Sequence, residues 1–246
     1  MKRIVLVLLI LGVVFSVKAV PSVWGFEGGA FLPSPGAPEV GNFNMLFWRE
    51  NFSFEENYGK KSYYRSIIGA TYTFLPGLEL GILKKENSCG RIPDDALMFA
   101  VKYTVPQTGF ISTALGFIAD LEDDHYSSLF ITFGDRKVYF GVGANVSGSD
   151  HVPWNPAPLG GYDFGEQKPD PFFFFVGVNY EFKEGVGVSV EFDGDKTIGS
   201  FFWERKDGYF MKVYWRGDGD YDTLMKMRFG SSYDSDQWGI IIGGRI

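Results

Sequence analysis

The sequence has 246 residues, of which 18% are aromatic, and a formal net charge of −7 at pH 7. A chain this acidic is a poor partner for nucleic acid, because phosphate binding requires an excess of Lys and Arg. Its single cysteine excludes an internal disulfide, and its length suits one β-domain of barrel size.

The N-terminal segment has the three-part layout of a secretory signal peptide. Two basic residues precede an apolar run over residues 4–15, and a small-residue cleavage site ends at Ala19. The run is short for a membrane-spanning helix, so an uncleaved anchor is the less favoured alternative. We expect removal of residues 1–19, which contain three basic and no acidic residues, to leave residues 20–246 as one barrel domain with a net charge of −10.

Apolar residues alternate with small or charged ones along most of the remaining chain, a pattern typical of strands with one apolar face. The clearest unit is the hairpin Pro171–Asp193, with a continuous apolar face and a three-residue turn that contains glycine. The fourteen candidate strands are, in chain order, 21–31, 43–54, 61–74, 78–83, 94–105, 109–120, 125–133, 136–147, 172–183, 186–193, 196–205, 208–216, 221–230 and 238–246.

Short turns alternate with longer connections, the longest of which is the proline-rich loop 147–170. This asymmetry, an apolar face and a face of glycines and charges are typical of a transmembrane barrel with a wet interior. We predict an all-β fold: a single antiparallel transmembrane β-barrel of 12–14 strands in the bacterial outer membrane. With fourteen strands, the start of the first strand and the end of the last would both lie on the long-loop side. Twelve strands over residues 43–230 avoid this but leave residues 238–246 unassigned.

The parity of the strands places nine charged side chains on the inner face, since a charge facing lipid would be costly. We predict that they line the lumen, where they either pair into a ladder that closes the barrel or surround a narrow wet pore. These residues are Arg65, Glu79, Lys102, Glu181, Glu191, Lys212, Lys226, Arg228 and Arg245. Seven inward glycines are expected to leave further space: Gly69, Gly81, Gly116, Gly141, Gly143, Gly177 and Gly187.

The sequence contains no assembled catalytic or metal-binding motif. Its two histidines, His125 and His151, lie at strand ends or in loops, and no G-x-S-x-G motif occurs. We therefore expect no catalytic residue, metal or cofactor, and a protein that is not an enzyme. The acidic segment Arg216–Asp222 has oxygen ligands for Ca²⁺ without the helix-loop-helix spacing, so a solvated hairpin loop is preferred. Cys89 is expected to be an unpaired surface residue.

Two segments, Thr73–Gly81 and Val178–Asp195, resemble hairpins of a family of bacterial outer-membrane barrels of largely unassigned function. The segment Ala100–Tyr103 with the following Ala114–Gly116 strand is similar to the same family. The resemblance extends over roughly residues 72–214 and implies barrel architecture more than an activity. Some members are associated with exopolysaccharide production, which would make polysaccharide a partner.

Two functions follow as expectations. The first is a non-enzymatic pore or export-associated barrel for small polar solutes or a polymer. The alternative is a structural or adhesion barrel with a sealed lumen, which acts through loop 147–170. A soluble exported barrel with an apolar lumen is disfavoured, because the predicted inner faces are the polar ones. The expected partners are outer-membrane lipid and small polar solutes or polysaccharide, and the oligomeric state stays open.

Overall fold

A computed structural model describes residues 20–26, 28–56, 59–89, 95–106, 111–121, 126–147, 157–163, 165–230 and 233–245. The predicted signal peptide and both histidines lie outside these residues. The elements are, in chain order, β1 (Phe43–Glu56), β2 (Gly59–Leu75), β3 (Leu78–Asn87), β4 (Ala96–Val105), β5 (Ser112–Asp120), β6 (Tyr126–Gly134), β7 (Val138–Ser147), β8 (Tyr162–Asp163), β9 (Lys168–Pro169), β10 (Phe172–Lys183), β11 (Val186–Phe192), β12 (Thr197–Glu204), β13 (Tyr209–Arg216), α1 (Asp220–Phe229) and β14 (Asp234–Arg245).

Twelve strands form a closed antiparallel barrel, which confirms the predicted fold class at the lower strand number. Neighbours in the chain pair with each other from β1 to β7 and from β10 to β14, β7 pairs with β10, and β14 pairs with β1 to close the sheet. The two remaining strands, β8 and β9, form a separate small sheet within the connection from β7 to β10.

Strand direction gives the barrel two different ends. The first residue of β1 and the last residue of β14 lie at one end, together with the turns at residues 76–77, 135–137, 184–185 and 205–208. We call this the short-turn end. The opposite, long-loop end carries α1 and the connection with β8 and β9. With twelve strands, the start of the first strand and the end of the last strand therefore both lie at the short-turn end, as expected of an outer-membrane barrel.

The outer face of the barrel is apolar. Along β10, Phe172 and Phe174 are 80% and 56% exposed, whereas Phe173 and Phe175 point inward and are buried. The same alternation recurs on the other strands, for example at Ile82 of β3. A closed sheet satisfies every strand hydrogen bond internally, so an apolar exterior can face lipid at no cost in unpaired backbone groups. The fold is that of a transmembrane β-barrel.

The prediction of a strand over residues 221–230 is wrong, because this segment forms the helix α1. Its buried residues Tyr221, Leu224 and Met225 follow the i, i+3, i+4 spacing of one helix face. Acidic residues occupy its first turn and basic residues its last, which stabilises a helix through its dipole. Among the described residues, no helix is long and apolar enough to cross a membrane.

The prediction of a strand over residues 21–31 is also wrong. Residues 20–26 and 28–37, which we call the plug segment, contain only isolated bridges and turns. Most of their side chains are buried, although no strand of the barrel pairs with them over any length. The contacts of the plug segment with inner-face residues place it inside the lumen.

Candidate functional site

The plug segment fills the centre of the lumen. Val20, Phe26 and Leu32 are at most 1% exposed, and they belong to one apolar cluster with inward residues of strands all around the barrel. Phe31 contacts the wall on one side, where its ring packs edge-on against Tyr214 with centroids 4.9 Å apart. The centre of the barrel is therefore packed like a protein core.

Lys212 of β13 binds the backbone of the plug segment. Its ammonium donates hydrogen bonds to the carbonyl oxygens of Val20, Pro21, Gly28 and Gly29, at 3.2, 3.3, 3.3 and 2.6 Å. The Lys212 side chain is buried, so these carbonyls replace the water that a charged amine requires. One wall residue thus holds two separate turns of the plug segment.

Glu191 of β11 binds the same part of the plug segment through backbone N–H groups. Its carboxylate accepts hydrogen bonds from Phe31 N at 2.9 Å and Leu32 N at 3.4 Å, and from the Tyr139 hydroxyl at 3.2 Å. The Tyr139 hydroxyl in turn accepts a hydrogen bond from Gly29 N at 2.9 Å. Tyr139, which the sequence analysis did not select, is a direct partner of the plug segment.

A third contact lies nearer the short-turn end. Lys102 of β4 forms an ion pair of 2.6 Å with Glu79 of β3 and donates to the carbonyl oxygens of Ser34 and Gly36. Arg136, in the turn between β6 and β7, donates to the carbonyl of Ala37 at 2.5 Å. The wall therefore holds the plug segment from Val20 to its exit at Ala37.

The expectation that the inward glycines leave open space is wrong. Five of the seven have an aromatic side chain directly opposite on the neighbouring strand, and that ring lies over the glycine. The pairs are Gly116 with Phe130, Gly141 with Phe175, Gly143 with Phe173, Gly177 with Tyr139 and Gly187 with Phe202. Each glycine leaves room for a ring that a Cβ atom would displace. These rings cover the inner surface of the barrel and narrow the lumen.

A network of buried ion pairs lies at the long-loop end. Glu50 of β1 pairs with Arg216 at 2.5 Å and Arg65 at 3.8 Å, and Arg216 pairs with Asp222 of α1 at 3.1 Å. Lys196 lies 3.9 Å from the same Asp222 carboxylate. Burial by itself raises the pKa of Asp222, but the positive charges beside it outweigh burial and lower the pKa below its ordinary value. The network anchors α1 over the mouth of the barrel.

Aromatic side chains pack beside this network. Phe52 and Phe54 of β1 contact Tyr233, and the Tyr233 hydroxyl accepts a hydrogen bond from Arg65 at 3.3 Å. Cys89 lies in the same cluster and is 3% exposed, so the expectation of a surface thiol is wrong. The loop thiol is covered because the connections at this end fold over the mouth of the barrel.

In the described part of the chain, one cavity borders each side of the plug segment. At the long-loop end a cavity of about 130 Å³ lies between the plug segment and a roof formed by residues 157–162 and Tyr221. We call it the outer cavity. At the short-turn end a groove of about 500 Å³ is lined by the plug exit and by the turns around Pro76 and Asp135. The plug segment lies between these two spaces, so they are separate.

The other predicted lumen residues lie at the margins of the barrel. Glu181 accepts a hydrogen bond from Gly185 N at 2.5 Å, and Arg245 pairs with Glu204 at 3.5 Å. Lys226 and Arg228 are on α1, where Lys226 pairs with Asp218 at 2.9 Å and Arg228 is exposed, so their placement on a strand is wrong. That the other charges line a conducting lumen stays a prediction.

The acidic segment around α1 is not a solvated hairpin loop. Asp222 is 0% exposed and is bound by Arg216, while Asp218 is paired with Lys226. In the described part of the chain, no three His, Cys, Asp or Glu side chains are grouped in a way that could hold a metal ion.

The site is the interior of a barrel that its own chain fills. Neither the protein-family models nor the curated proteins contain a match to this sequence. Among solved structures, OccAB4 of Acinetobacter baumannii is similar at 14% identity and a TM-score of 0.31, over 82% of this chain and 62% of that one.

Two further structures are similar to a comparable extent. OccK7 (OpdD) of Pseudomonas aeruginosa has 10% identity and a TM-score of 0.32, over 85% of this chain and 66% of its own. An engineered variant of the Rhodopseudomonas blastica porin has 8% identity and a TM-score of 0.31, over 83% of this chain and 100% of its own.

Proposed function

We propose that this protein is a pore for small polar solutes in the bacterial outer membrane, closed in the described conformation by its plug segment. Export with removal of residues 1–19 belongs to the same proposal, since a barrel with an apolar exterior needs a bilayer. Outer-membrane lipid is then the partner of the exposed apolar face. Transport of a polysaccharide is the less favoured form, because rings over the glycines narrow the lumen.

One observation carries this proposal. Lys212 and Glu191 bind backbone groups of the plug segment directly, and in the described structure their opposite charges attract each other only from beyond ion-pair distance. In a barrel that stays sealed, apolar residues at these buried positions would give equal or greater stability than charged ones. Charges that the plug segment covers are instead ready to line a polar passage once it leaves.

Conductance in a planar lipid bilayer tests the proposal. The chain 20–246 and a shortened chain 38–246, both refolded in detergent, are compared at low and high salt. We expect the longer chain to insert with little conductance and the shorter chain to give reproducible steps. In the shorter chain, Glu191→Lys should shift selectivity towards anions and Lys102→Glu towards cations.

Glu184→Lys is the matched control, because Glu184 lies in an exposed turn and its carboxylate is 62% exposed. It makes the same charge change as Glu191→Lys without touching the lumen. A folded 38–246 chain that inserts without conducting would contradict the proposal. Equal conductance of the two chains would show that the plug segment does not close the barrel.

A sealed barrel that acts through loop 147–170 is the second candidate. It is favoured by the packing of the described residues of this loop: Asn145 donates to the carbonyl oxygens of Leu159 and Asp170 at 3.1 and 2.9 Å, and Leu159 is buried. Insertion of both chains without conductance is the result that this candidate predicts.

A further inference from the structure

The outer cavity has an apolar floor. The plug segment contributes Trp24, Phe31 and Leu32, and the barrel wall contributes Trp48 and Ile67. Its volume of about 130 Å³ is close to that of an engineered cavity of about 150 Å³ that holds benzene. The floor therefore fits a small organic molecule with an apolar body.

The carboxylates around the outer cavity already have donors. Glu50 accepts from Arg216 at 2.5 Å. Asp193 accepts from the backbone N–H groups of Asp195 and Lys196 at 3.0 and 2.8 Å, and Asp195 accepts from Asp220 N at 3.1 Å. A cationic ligand would have to compete with these bonds, which disfavours a ligand of positive charge.

One cation at the outer cavity, Lys196, is only loosely paired. Lys196 lines the cavity with a side chain that is 15% exposed, and within the described residues its ammonium comes no nearer to a carboxylate than 3.9 Å, from Asp222. At 3.9 Å the Asp222 carboxylate is too far away to accept a hydrogen bond from the Lys196 ammonium, so an anionic group of a ligand in the cavity would supply that acceptor.

We propose that the outer cavity binds a small organic monoanion, with its apolar body on the aromatic floor and its anionic group on the Lys196 ammonium. This inference goes beyond the proposed function, because binding in the outer cavity requires no conduction. A barrel that never conducts would still bind the anion.

Isothermal titration calorimetry tests the inference with three probes of the same shape: pentanoate, pentanamide and pentylamine. The chain 20–246 is used in a neutral detergent, with the plug segment in place. We expect pentanoate to bind with a stoichiometry of one and at least tenfold more tightly than pentanamide, and pentylamine not to bind. Lys196→Met should weaken pentanoate binding about tenfold or more, the loss expected for one charge-assisted hydrogen bond.

Two further variants distinguish binding in the outer cavity from binding elsewhere on the protein. Lys206→Met is the matched control, because Lys206 lies in a turn at the short-turn end with a side chain that is 87% exposed. It makes the same change of charge, and we expect pentanoate to bind as in the parent chain. Ala157→Phe places a ring in the outer cavity and should abolish binding while Lys196 stays in place.

The inference is overturned by any of three results. These are absence of pentanoate binding to the folded parent chain, equal affinity for pentanoate and pentanamide, and the same pentanoate affinity in Lys196→Met as in Lys206→Met. Circular dichroism of each variant verifies that the barrel is folded before titration.

Discussion

Replacement of Lys212 by Met should release the plug segment while the barrel remains folded. The methionine side chain has nearly the same length, so the wall keeps its shape, but the four carbonyl oxygens that the ammonium holds lose their donor. The substitution also leaves the buried charge of Glu191 without the positive charge of Lys212.

The expected loss is large for one side chain. A hydrogen bond to a charged group contributes about 1.5–3 kcal/mol, and the contributions of one ammonium to four carbonyls do not add. Removing one partner from a buried charged cluster costs about 3–5 kcal/mol. We therefore expect Lys212→Met to weaken the free energy of docking the plug segment by about 3–5 kcal/mol. This change corresponds to about a hundredfold to several thousandfold in the docking equilibrium.

Hydrogen exchange, measured by mass spectrometry in peptides that cover residues 20–37, reports on the docking equilibrium of the plug segment. Their exchange should accelerate by about the same factor, while peptides from the barrel strands stay protected. Lys183→Met is the control, because Lys183 is an exposed lysine at the end of β10. Equal exchange of residues 20–37 in the two variants would refute the reasoning that the docked plug segment requires the Lys212 ammonium.

Three further changes probe other contacts. Glu191→Gln keeps acceptor atoms for the plug segment but removes the charge, so hydrogen exchange of residues 20–37 should accelerate only by about tenfold. Gly177→Ala would force a methyl group into the ring of Tyr139 and should lower the free energy of unfolding by about 1–3 kcal/mol in urea titrations, whereas Gly199→Ala, where the space is open, should change it little. Because the pKa of Asp222 is lowered in the folded state, its stabilisation of α1 should persist down to about pH 4 and fade below it, as followed by hydrogen exchange of α1. Asp222→Asn should abolish that pH dependence.

Strands with a clean period of two could be predicted from the sequence, and the predicted hairpin from Pro171 to Asp193 contains β10 and β11. The structure of segment 221–230 could not be predicted in this way. Its apolar residues at positions 221, 224, 225, 227 and 229 are compatible both with the two-residue period of a strand and with the 3.6-residue period of a helix. Its charge order, acidic first and basic last, was the available signal for a helix. Correcting this segment together with the predicted strand 21–31 leaves twelve strands, so that the start of the first strand and the end of the last both lie at the short-turn end.

The filling of the lumen could not be predicted from parity. Parity places Gly177 and Tyr139 on inner faces, but only the register between β7 and β10 shows that they are opposite each other. The plug segment was missed for a related reason. Its glycines and apolar residues are compatible with an irregular strand, and what fixes its place are contacts over more than 150 residues of sequence, such as that of Phe31 with Glu191.

The way in which the plug segment is held sets the cost of its release. Lys212 and Glu191 bind backbone groups of the plug segment, so both charges become accessible to water when it leaves. An ion pair broken in a dry core leaves an uncompensated charge, but a charge in an opening lumen regains its hydration. The net electrostatic cost of opening is therefore much smaller than the contacts of the closed state imply. The apolar residues Val20, Phe26 and Leu32 keep a hydrophobic cost of exposure, at about 1.5–3 kcal/mol for each large side chain. Closure of this barrel thus depends mainly on the apolar side chains of the plug segment, and the buried charges determine where it docks.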